Sequence, residues 1–261
     1  MTRILTYNVH RCVGTDRRLD VGRVAAVIAA AAPDIVVLQE VDVGRARTGG
    51  VDQAHRLAQR LGMASRFHAA LKVEEEQYGD AILTALPERL IKAAPLPGYA
   101  PIPRLEPRGA LMVAVEVADG REVQVINTHL GLVPREQQIQ AAALAGAGWL
   151  GHPSRHDPLI LLGDLNATSR TVAYRTLAGV LSDAHAARGA RRRRVATFPS
   201  VMPVLRIDHV FVSGGIRVLR LAAAATPLAR LASDHLPLAM DFELEDLGPP
   251  APRDAKGPGP R

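Results

Sequence analysis

Six apolar segments of the chain each run into polar residues whose types are those of a catalytic site. The polar residues are carboxylates, amides and imidazoles, and oxygen ligands beside imidazoles are typical of a hard divalent cation served by acid and base groups. The six endings are Tyr7-Asn8, Gln39-Glu40, Asn127-Thr128-His129, Gly163-Asp164-Leu165-Asn166, Arg206-Ile207-Asp208-His209 and Ser233-Asp234-His235.

A single carboxylate after a strand carries little information about function. Asp and Asn are common turn and capping residues, so Asp164 taken alone is explained as well by turn chemistry as by catalysis. Six endings of this composition are much harder to explain in that way. Since layered α/β folds bind ligands at strand ends, we expect these side chains to share one crevice.

The hydrophobic pattern predicts the elements that must position these residues. Apolar positions at helical spacing predict helices over 21–31, 52–61, 134–150 and 171–179. Apolar runs predict strands near 2–9, 35–38, 66–71, 80–85, 89–95, 109–117, 122–129, 158–162, 206–212, 216–222 and 236–242. Asp119-Gly120 is a hairpin signal between two of these strands.

Hairpins mixed with crossover helices predict an α/β fold of two packed mixed sheets covered by helices on both outer faces, a four-layer sandwich. The chain of 261 residues is long enough for one large domain, which we place at residues 1–246. Residues 247–261 are rich in Gly and Pro and are expected to form a disordered tail.

Composition excludes several classes of protein. Hydrophobic residues make up 48% of the chain, so it is neither disordered nor fibrous, and the 3% of aromatic residues makes the core aliphatic. The single cysteine, Cys12, excludes an internal disulfide and a thiolate zinc site. No apolar run is long enough for a signal peptide or a membrane span, so we expect a cytoplasmic protein without a transmembrane segment.

The ordered motifs identify a family resemblance. The chain contains, in order, TYNVH, LQE, NTHL, GDLN, RIDHVFVS and SDHLP. This set resembles the endonuclease/exonuclease/phosphatase superfamily, which includes DNase I-like nucleases, neutral sphingomyelinases and inositol polyphosphate 5-phosphatases. The resemblance covers nearly all of the predicted domain. It implies the four-layer sandwich and hydrolysis of phosphoesters that depends on Mg²⁺ or Mn²⁺.

The family pattern assigns the metal and its immediate surroundings to Glu40, with Asn8 and Asp234 beside it. A divalent ion there would neutralise the phosphate and stabilise the leaving oxyanion. Because His10 stands where several nucleases carry an acidic residue, the resemblance leaves a second metal site in doubt.

The remaining motif residues are assigned to catalysis. Asp164 is the candidate base or water-orienting group, and Asn166 is expected to bond a phosphoryl oxygen from the same side of an extended strand. His235 orients water or binds phosphate, with its ring held by Asp208. His129 is the phosphate ligand or general acid.

Two further residues are predicted to reach the substrate. Arg108 resembles a family position that contacts phosphate, although a solvated strand-entry arginine would look the same. Tyr78 reaches the phosphate or supports His129, with ordinary packing as the alternative. Asp80 is an alternative partner for orienting His129.

The substrate is less well defined than the reaction. Of the net charge of +6, four charges come from Arg191–Arg194 and two from the tail, so the rest of the chain is neutral and its high pI is weak support for DNA binding. The arginine run suits DNA, an anionic lipid surface or a polyphosphate, or is simply solvated.

The motif details look closest to compact bacterial hydrolases similar to the module associated with GPI-anchor lipid remodelling and to sphingomyelinases. We therefore expect a lipid or small-molecule phosphodiester as the substrate, with DNA as the alternative. A catalytically silent phosphate-binding module is the non-enzyme alternative, but it would be expected to have lost Glu40, Asp164 or His235. No protein partner is inferred.

Overall fold

The computed structural model describes residues 1–117, 120–187 and 195–245. In chain order the elements are β1 (Thr2–Asn8), α1 (Val21–Ala31), β2 (Ile35–Val43), α2 (Gln53–Leu61), β3 (Ala64–Val73), β4 (Glu76–Thr84), β5 (Glu88–Pro95), β6 (Gly109–Glu116), β7 (Glu122–His129), α3 (Pro134–Ala145), β8 (Leu159–Asp164), α4 (Val172–Ala178), β9 (Ser182–Asp183), α5 (Ala184–Ala187), β10 (Asp208–Val212), β11 (Ile216–Ala223), α6 (Pro227–Ala232) and β12 (Leu238–Leu244).

The strands form two six-stranded sheets, in the orders β11-β12-β1-β2-β4-β3 and β5-β6-β7-β8-β10-β9. One pair in each sheet is parallel, β1 with β2 and β7 with β8, and the other pairs are antiparallel. Helix α1 connects the first parallel pair and α3 connects the second. The carboxyl ends of such β-α-β units are where layered folds place ligands.

Three apolar clusters divide the molecule into four layers. One cluster lies between the sheets and includes Ile4 and Val37 from the first and Val125 and Leu162 from the second. A second cluster packs α1, α2 and α6 on the outer face of the first sheet, and a third packs α3 and α4 on the second. The predicted four-layer α/β sandwich is confirmed.

The local signals explain where the predicted elements begin and end. Helix α1 has the predicted bounds because the Asp20 carboxylate accepts a hydrogen bond from the Arg23 amide and caps its first turn. Helix α3 ends at Ala145 rather than near residue 150, since Gly146 takes an extended conformation with ψ −174°. The sequence prediction missed β9, α5 and α6, which are two, four and six residues long and too short to show a period.

Several predictions concern residues outside the described ranges. Arg191–Arg194 and the tail from residue 247 lie there, as does Asp119 of the hairpin turn. The hairpin itself is formed, because β6 and β7 pair antiparallel from Ala110 with Thr128 to Glu116 with Glu122. Within the described residues, none of the helices is both long enough and apolar enough to cross a membrane.

Candidate active site

A cleft of about 480 Å³ opens where the carboxyl ends of the two parallel strand pairs meet. Eight of the ten predicted site residues line it, and the other two, Asn8 and Asp208, are buried at 1% exposure and hydrogen-bond to residues that do. The eight are Glu40, Tyr78, Arg108, His129, Asp164, Asn166, Asp234 and His235. The structure therefore brings together the whole predicted set.

Asp164 is the last residue of β8, and the glycine before it fixes its position. Gly163 has φ 145°, and a Cβ on it would lie 1.9 Å from the carbonyl oxygen of Thr128 on β7. Only glycine therefore allows β8 to approach β7 this closely at the edge of the cleft.

One carboxylate oxygen of Asp164 is approached by three other site residues. Its Oδ2 accepts a hydrogen bond from Asn8 Nδ2 at 3.0 Å, and it lies 3.5 Å from His129 Nε2 and 3.6 Å from His235 Nε2. Its Oδ1 accepts from the Asn166 amide at 2.8 Å. Burial raises the pKa of this carboxyl, and the nearby positive charge of His235 opposes that rise.

The route by which Asn166 reaches the cleft differs from the prediction. Strand geometry ends at Asp164, and Asn166 has φ 48°, so the two residues do not share a face by alternation. Instead, the backbone N–H of Asn166 donates to Asp164 Oδ1 and closes a turn, and this turn brings the Asn166 side chain to the cleft. Asn166 Nδ2 donates to the carbonyl oxygen of Leu130 at 2.9 Å and lies 3.1 Å from His129 Nε2.

His235 is held as a cation. Its Nδ1 donates to Asp208 Oδ2 at 2.9 Å, and its ring packs 4.9 Å from that of Phe198. Burial lowers the pKa of His235, but the carboxylates of Asp208 and Asp164 outweigh burial and raise it to about 10. Its Nε2 proton therefore faces Asp164 and the cleft. The other oxygen of Asp208, Oδ1, is buried without a hydrogen-bond partner among the described residues.

His129 is held neutral by a different neighbour. Burial, together with the positive charges of Arg108 and His235, keeps the pKa of His129 well below its ordinary value. Arg108 Nη1 lies 3.0 Å from His129 Nδ1, and the amide nitrogen Asn166 Nδ2 lies 3.1 Å from Nε2, so a hydrogen-bond donor faces each ring nitrogen. The contact to Nδ1 is thus made by Arg108 and not by Asp80, the partner considered from the sequence. Burial raises the pKa of Asp80 to about 8.

Arg108 and Tyr78 are both buried in the cleft wall, at 7% and 4% exposure. Arg108 also pairs with Glu106 Oε1 at 2.8 Å, and its charge opposes the rise that burial causes in the pKa of Tyr78. The guanidinium of Arg47 lies 5.2 Å from the centre of the Tyr78 ring. A positive charge is therefore fixed beside His129, and the phenol beside it is packed between two arginines.

The predicted metal ligands lie at a bulge inside β2, at the end of β1 and in the loop before β12. Glu40 has φ 57° at a point where the pairing of β2 with β4 shifts register, so a bulge turns its side chain into the cleft. Asn8 Nδ2 donates to Glu40 Oε1 at 3.0 Å as well as to Asp164. Two carboxylates thus converge on one amide, which favours a bound cation.

The donor chemistry fits a hard divalent cation on the Glu40 side of the cleft. Asp164, Asp208 and His235 also have ligand atoms within 4.8 Å of one another, and a cation there would have to displace the His235 proton that bonds Asp208. Glu40 and the half-exposed Asp234 offer carboxylate oxygens, the ligands that Mg²⁺ and Mn²⁺ prefer. Asn8 Oδ1 accepts from the His10 amide at 3.0 Å, so its amide serves to hold the carboxylates.

His10 has both ring nitrogens engaged. Nδ1 donates to the carbonyl oxygen of Val13 at 3.2 Å, and Nε2 accepts from Arg11 Nη2 at 2.7 Å. In this arrangement His10 offers no free ligand atom for a second metal ion.

Sequence reasoning did not predict seven other cleft-lining residues, which are Arg11, Arg47, Glu106, Leu132, Phe198, Leu205 and Ile207. Glu106 had a signal, because it stands two residues before Arg108. The apolar residues had none, since nothing in their local sequence separates them from core residues. A larger cavity of about 700 Å³ shares Leu205 with the cleft, but its central carboxylate, Asp183, is already bonded to Arg206 and Tyr174. We therefore place the chemistry in the smaller cleft.

Comparison with known proteins agrees with this geometry. Residues 5–235 match the model of the Endonuclease/Exonuclease/phosphatase family. The uncharacterised protein YbhP of Escherichia coli K12 is 26% identical over 93% of this chain and 96% of its own length.

Solved structures share the fold. An endonuclease/exonuclease/phosphatase from Beutenbergia cavernae is 26% identical, with a TM-score of 0.72 over 94% of this chain and 72% of that one. A mannosyl-6-phosphatase from Bacteroides thetaiotaomicron is 19% identical, with a TM-score of 0.75 over 94% of this chain and 100% of that one.

Proposed function

Because the chain belongs to the endonuclease/exonuclease/phosphatase family, we propose that it hydrolyses a phosphodiester in a reaction that depends on Mg²⁺ or Mn²⁺. Members of this family are hydrolases that act on phosphoesters or nucleic acids. The observation that carries the proposal is the convergence of Asn8, His129 and His235 on Asp164 Oδ2 at the wall of one cleft.

The cation would be held by Glu40 and Asp234, with Asn8 fixing the Glu40 carboxylate. When bound there it would neutralise charge on the phosphate and stabilise the leaving oxyanion. The positive φ of Glu40 supports this role, because strained backbone at a cleft is retained where the side-chain direction matters.

The protein's own groups divide the remaining work. Asp164 accepts a proton from the attacking water, and the N–H groups of Asn8 and Asn166 keep its carboxylate in place. His235, held by Asp208, presents an Nε2 proton to a phosphoryl oxygen. Neutral His129 lies beside the same oxygen of Asp164 as a phosphate ligand, while Arg108 supplies positive charge behind it. A positioned acid or base contributes about 10²–10⁴-fold to the rate.

A lipid or small-molecule phosphodiester fits the cleft walls. The cations Arg11 and Arg108 share the cleft with the apolar side chains of Leu132, Phe198 and Leu205, so charged and apolar parts of one substrate both find partners. The resemblance to hydrolases of GPI-anchor lipid remodelling and to sphingomyelinases supports the same class. We place this activity in the cytoplasm. DNA remains the alternative substrate, favoured by Arg11 on the cleft wall, while Arg47 beside it is paired with Asp42.

A substrate comparison tests the proposal. Purified protein is assayed with Mg²⁺, Mn²⁺ or EDTA on bis(p-nitrophenyl) phosphate, on phosphodiester lipids in detergent and on supercoiled plasmid. We expect hydrolysis of the soluble diester and of lipid, lost in EDTA and in Asp164→Ala. Asp241→Asn is the matched control, since it changes a buried carboxylate that pairs with Arg3 outside the cleft.

Nicking of plasmid without lipid hydrolysis would replace the lipid proposal with the nuclease. Phosphate-analogue binding without turnover of any substrate would show a silent binding module.

A further inference from the structure

Helix α3 buries polar side chains in its first two turns. Glu136, Gln137 and Gln140 are 2%, 3% and 0% exposed, although a helix on the outer face of a sheet normally buries an apolar stripe. The apolar residues that α3 buries, Ala141 and Leu144, come later in the helix and pack in the third cluster. Because a buried amide has to be hydrogen-bonded, the partners of the two glutamines show what the first half of this helix does.

Both glutamines bond the loop that follows His129. Gln140 Oε1 accepts a hydrogen bond from the backbone N–H of Gly131 at 2.8 Å. Gln137 Nε2 donates to the carbonyl oxygen of the same glycine at 2.9 Å. Gly131 stands two residues after His129, so both backbone polar groups of a residue next to the cleft are bonded to α3 and the course of the chain beyond β7 is fixed.

Gln137 also bonds the turn that carries Asn166. The same Nε2 atom donates to the carbonyl oxygen of Asn166 at 2.9 Å. The N–H of Asn166 donates to Asp164 Oδ1 at 2.8 Å, and its side chain donates to the Leu130 carbonyl at 2.9 Å. A residue with a φ of 48° keeps that conformation only where its surroundings hold it, and Gln137 is one of the groups that do so.

We propose that Gln137 is a positioning residue for the reaction. Its one side-chain nitrogen ties the loop after His129 to the turn after Asp164, and so fixes these two side chains relative to each other. Gln137 does not line the cleft, so it acts through the two loops rather than on the substrate. This inference rests on the proposed function, because it assigns a further residue to the same reaction. A displacement of about 1 Å among reacting groups costs a rate factor of about 10².

A pair of matched variants tests the role of this amide. Gln137→Met keeps the length of the side chain and removes the donor. The control is Gln124→Met, which changes another buried glutamine at the start of β7, far along the strand from His129. Gln124 also makes two hydrogen bonds to backbone, from Nε2 to the Ser154 carbonyl at 2.8 Å and from the His156 N–H to Oε1 at 2.9 Å. Gln137→Asn, which keeps the amide on a shorter side chain, takes the place of Gln137→Met if that variant does not fold.

The intact proteins are compared by steady-state kinetics on bis(p-nitrophenyl) phosphate with Mg²⁺, by thermal unfolding and by hydrogen–deuterium exchange of residues 164–170. We expect Gln137→Met to lower kcat by about 10–100-fold with KM nearly unchanged. Exchange of residues 164–170 should become at least about tenfold faster, because the Asn166 turn opens more often. Gln124→Met should lose a similar amount of melting temperature while kcat and the exchange of this segment stay at the wild-type values.

Full kcat in a folded Gln137 variant, or equal losses of kcat in the Gln137 and Gln124 variants, would overturn the positioning role and leave the proposed function standing. Unchanged exchange of residues 164–170 in the Gln137 variant would overturn it as well. A wild-type protein without turnover, whose residues 164–170 nevertheless exchange faster in Gln137→Met, would overturn the proposed function, while the positioning of the Asn166 turn by Gln137 would stand.

Discussion

His129 and His235 reach the same oxygen of Asp164 from opposite sheets. His129 ends β7 and lies 3.5 Å from Asp164 Oδ2, and His235 stands before β12 and lies 3.6 Å from it. Both rings are buried, yet the pKa of His129 lies well below its ordinary value and that of His235 is raised to about 10. Burial alone would lower both.

The difference follows the charges around each ring, and the contact at Nδ1 shows it most directly. Arg108 donates to His129 Nδ1, whereas Asp208 accepts from His235 Nδ1. A guanidinium there favours the neutral ring, and a carboxylate favours the cation. Two imidazoles at equal distance from one carboxylate are thereby assigned different protonation states. The residue behind each ring, rather than the ring itself, determines what it offers the substrate.

Replacing the shared partner has the largest expected effect. We expect Asp164→Ala to lower kcat by at least about 10³-fold, because the proton acceptor is lost and both imidazoles lose the carboxylate they face. The melting temperature should change little, since burial disfavours the charged form of this carboxyl. Steady-state kinetics and thermal unfolding check both parts. Full activity in a folded Asp164→Ala protein would refute the site assignment.

Asp208→Asn tests the cationic side of the comparison. The amide keeps the shape but not the charge that holds the His235 proton, so we expect kcat to fall by about 10²–10³-fold with KM nearly unchanged. His235→Gln should cost a similar factor. The double variant should be no worse than either single one, because the two residues act as one unit. Multiplying losses in the double variant would show that Asp208 and His235 act independently.

Arg108→Met tests the neutral side. Removing the guanidinium takes a charge from the cleft wall and a donor from His129 Nδ1, so we expect kcat/KM to fall by about 10–100-fold, mainly through KM. Arg108→Lys should recover part of the loss, since it keeps the charge without the planar donor pair. An unchanged KM in Arg108→Met would remove Arg108 from the substrate contacts.

The smallest expected effect concerns stability alone and comes from His209, a third buried histidine, which lies outside the cleft. His209 Nε2 donates to the Ala167 carbonyl at 2.7 Å, and burial lowers the pKa of His209 to about 4. The unfolded chain takes up this proton near pH 6.5, so the folded protein loses stability as the pH falls from 6.5 towards 4. At pH 5 the loss is about 2 kcal/mol.

Urea unfolding at pH 7 and pH 5 measures this loss. His209→Gln removes the titration, so its stability should fall less between the two pH values than that of the wild type. Equal falls would mean that the pKa of His209 is the same in the folded and the unfolded chain.

The sequence predicted the layers and most of the cleft, but not the contacts that distinguish its groups. The spacing of apolar residues was sufficient to predict α1, and the polar residues at strand ends were sufficient to predict the group around Asp164, because both features depend on local chain geometry. The contact of Arg108 with His129 depends on how β6 lies beside β7, and the sequence suggested Asp80 just as readily as the partner of His129. The packing of the Phe198 ring against the His235 ring depends on a hairpin that belongs to neither sheet. Helix α6 was missed although Thr226 caps it and Pro227 begins it, since six residues show no period.

The Asn8 amide joins the two halves of the sandwich at the point where the chemistry is proposed. Glu40 comes from the first sheet and Asp164 from the second, and one Nδ2 atom bonds both at 3.0 Å. The separation of the two sheets therefore sets the distance between Glu40 and Asp164 in the cleft. The aliphatic side chains packed between the sheets, such as Val37 and Leu162, act as spacers that determine this separation. Since close-packed interiors transmit strain, a spacer shortened by one methyl group would alter turnover before it threatened folding.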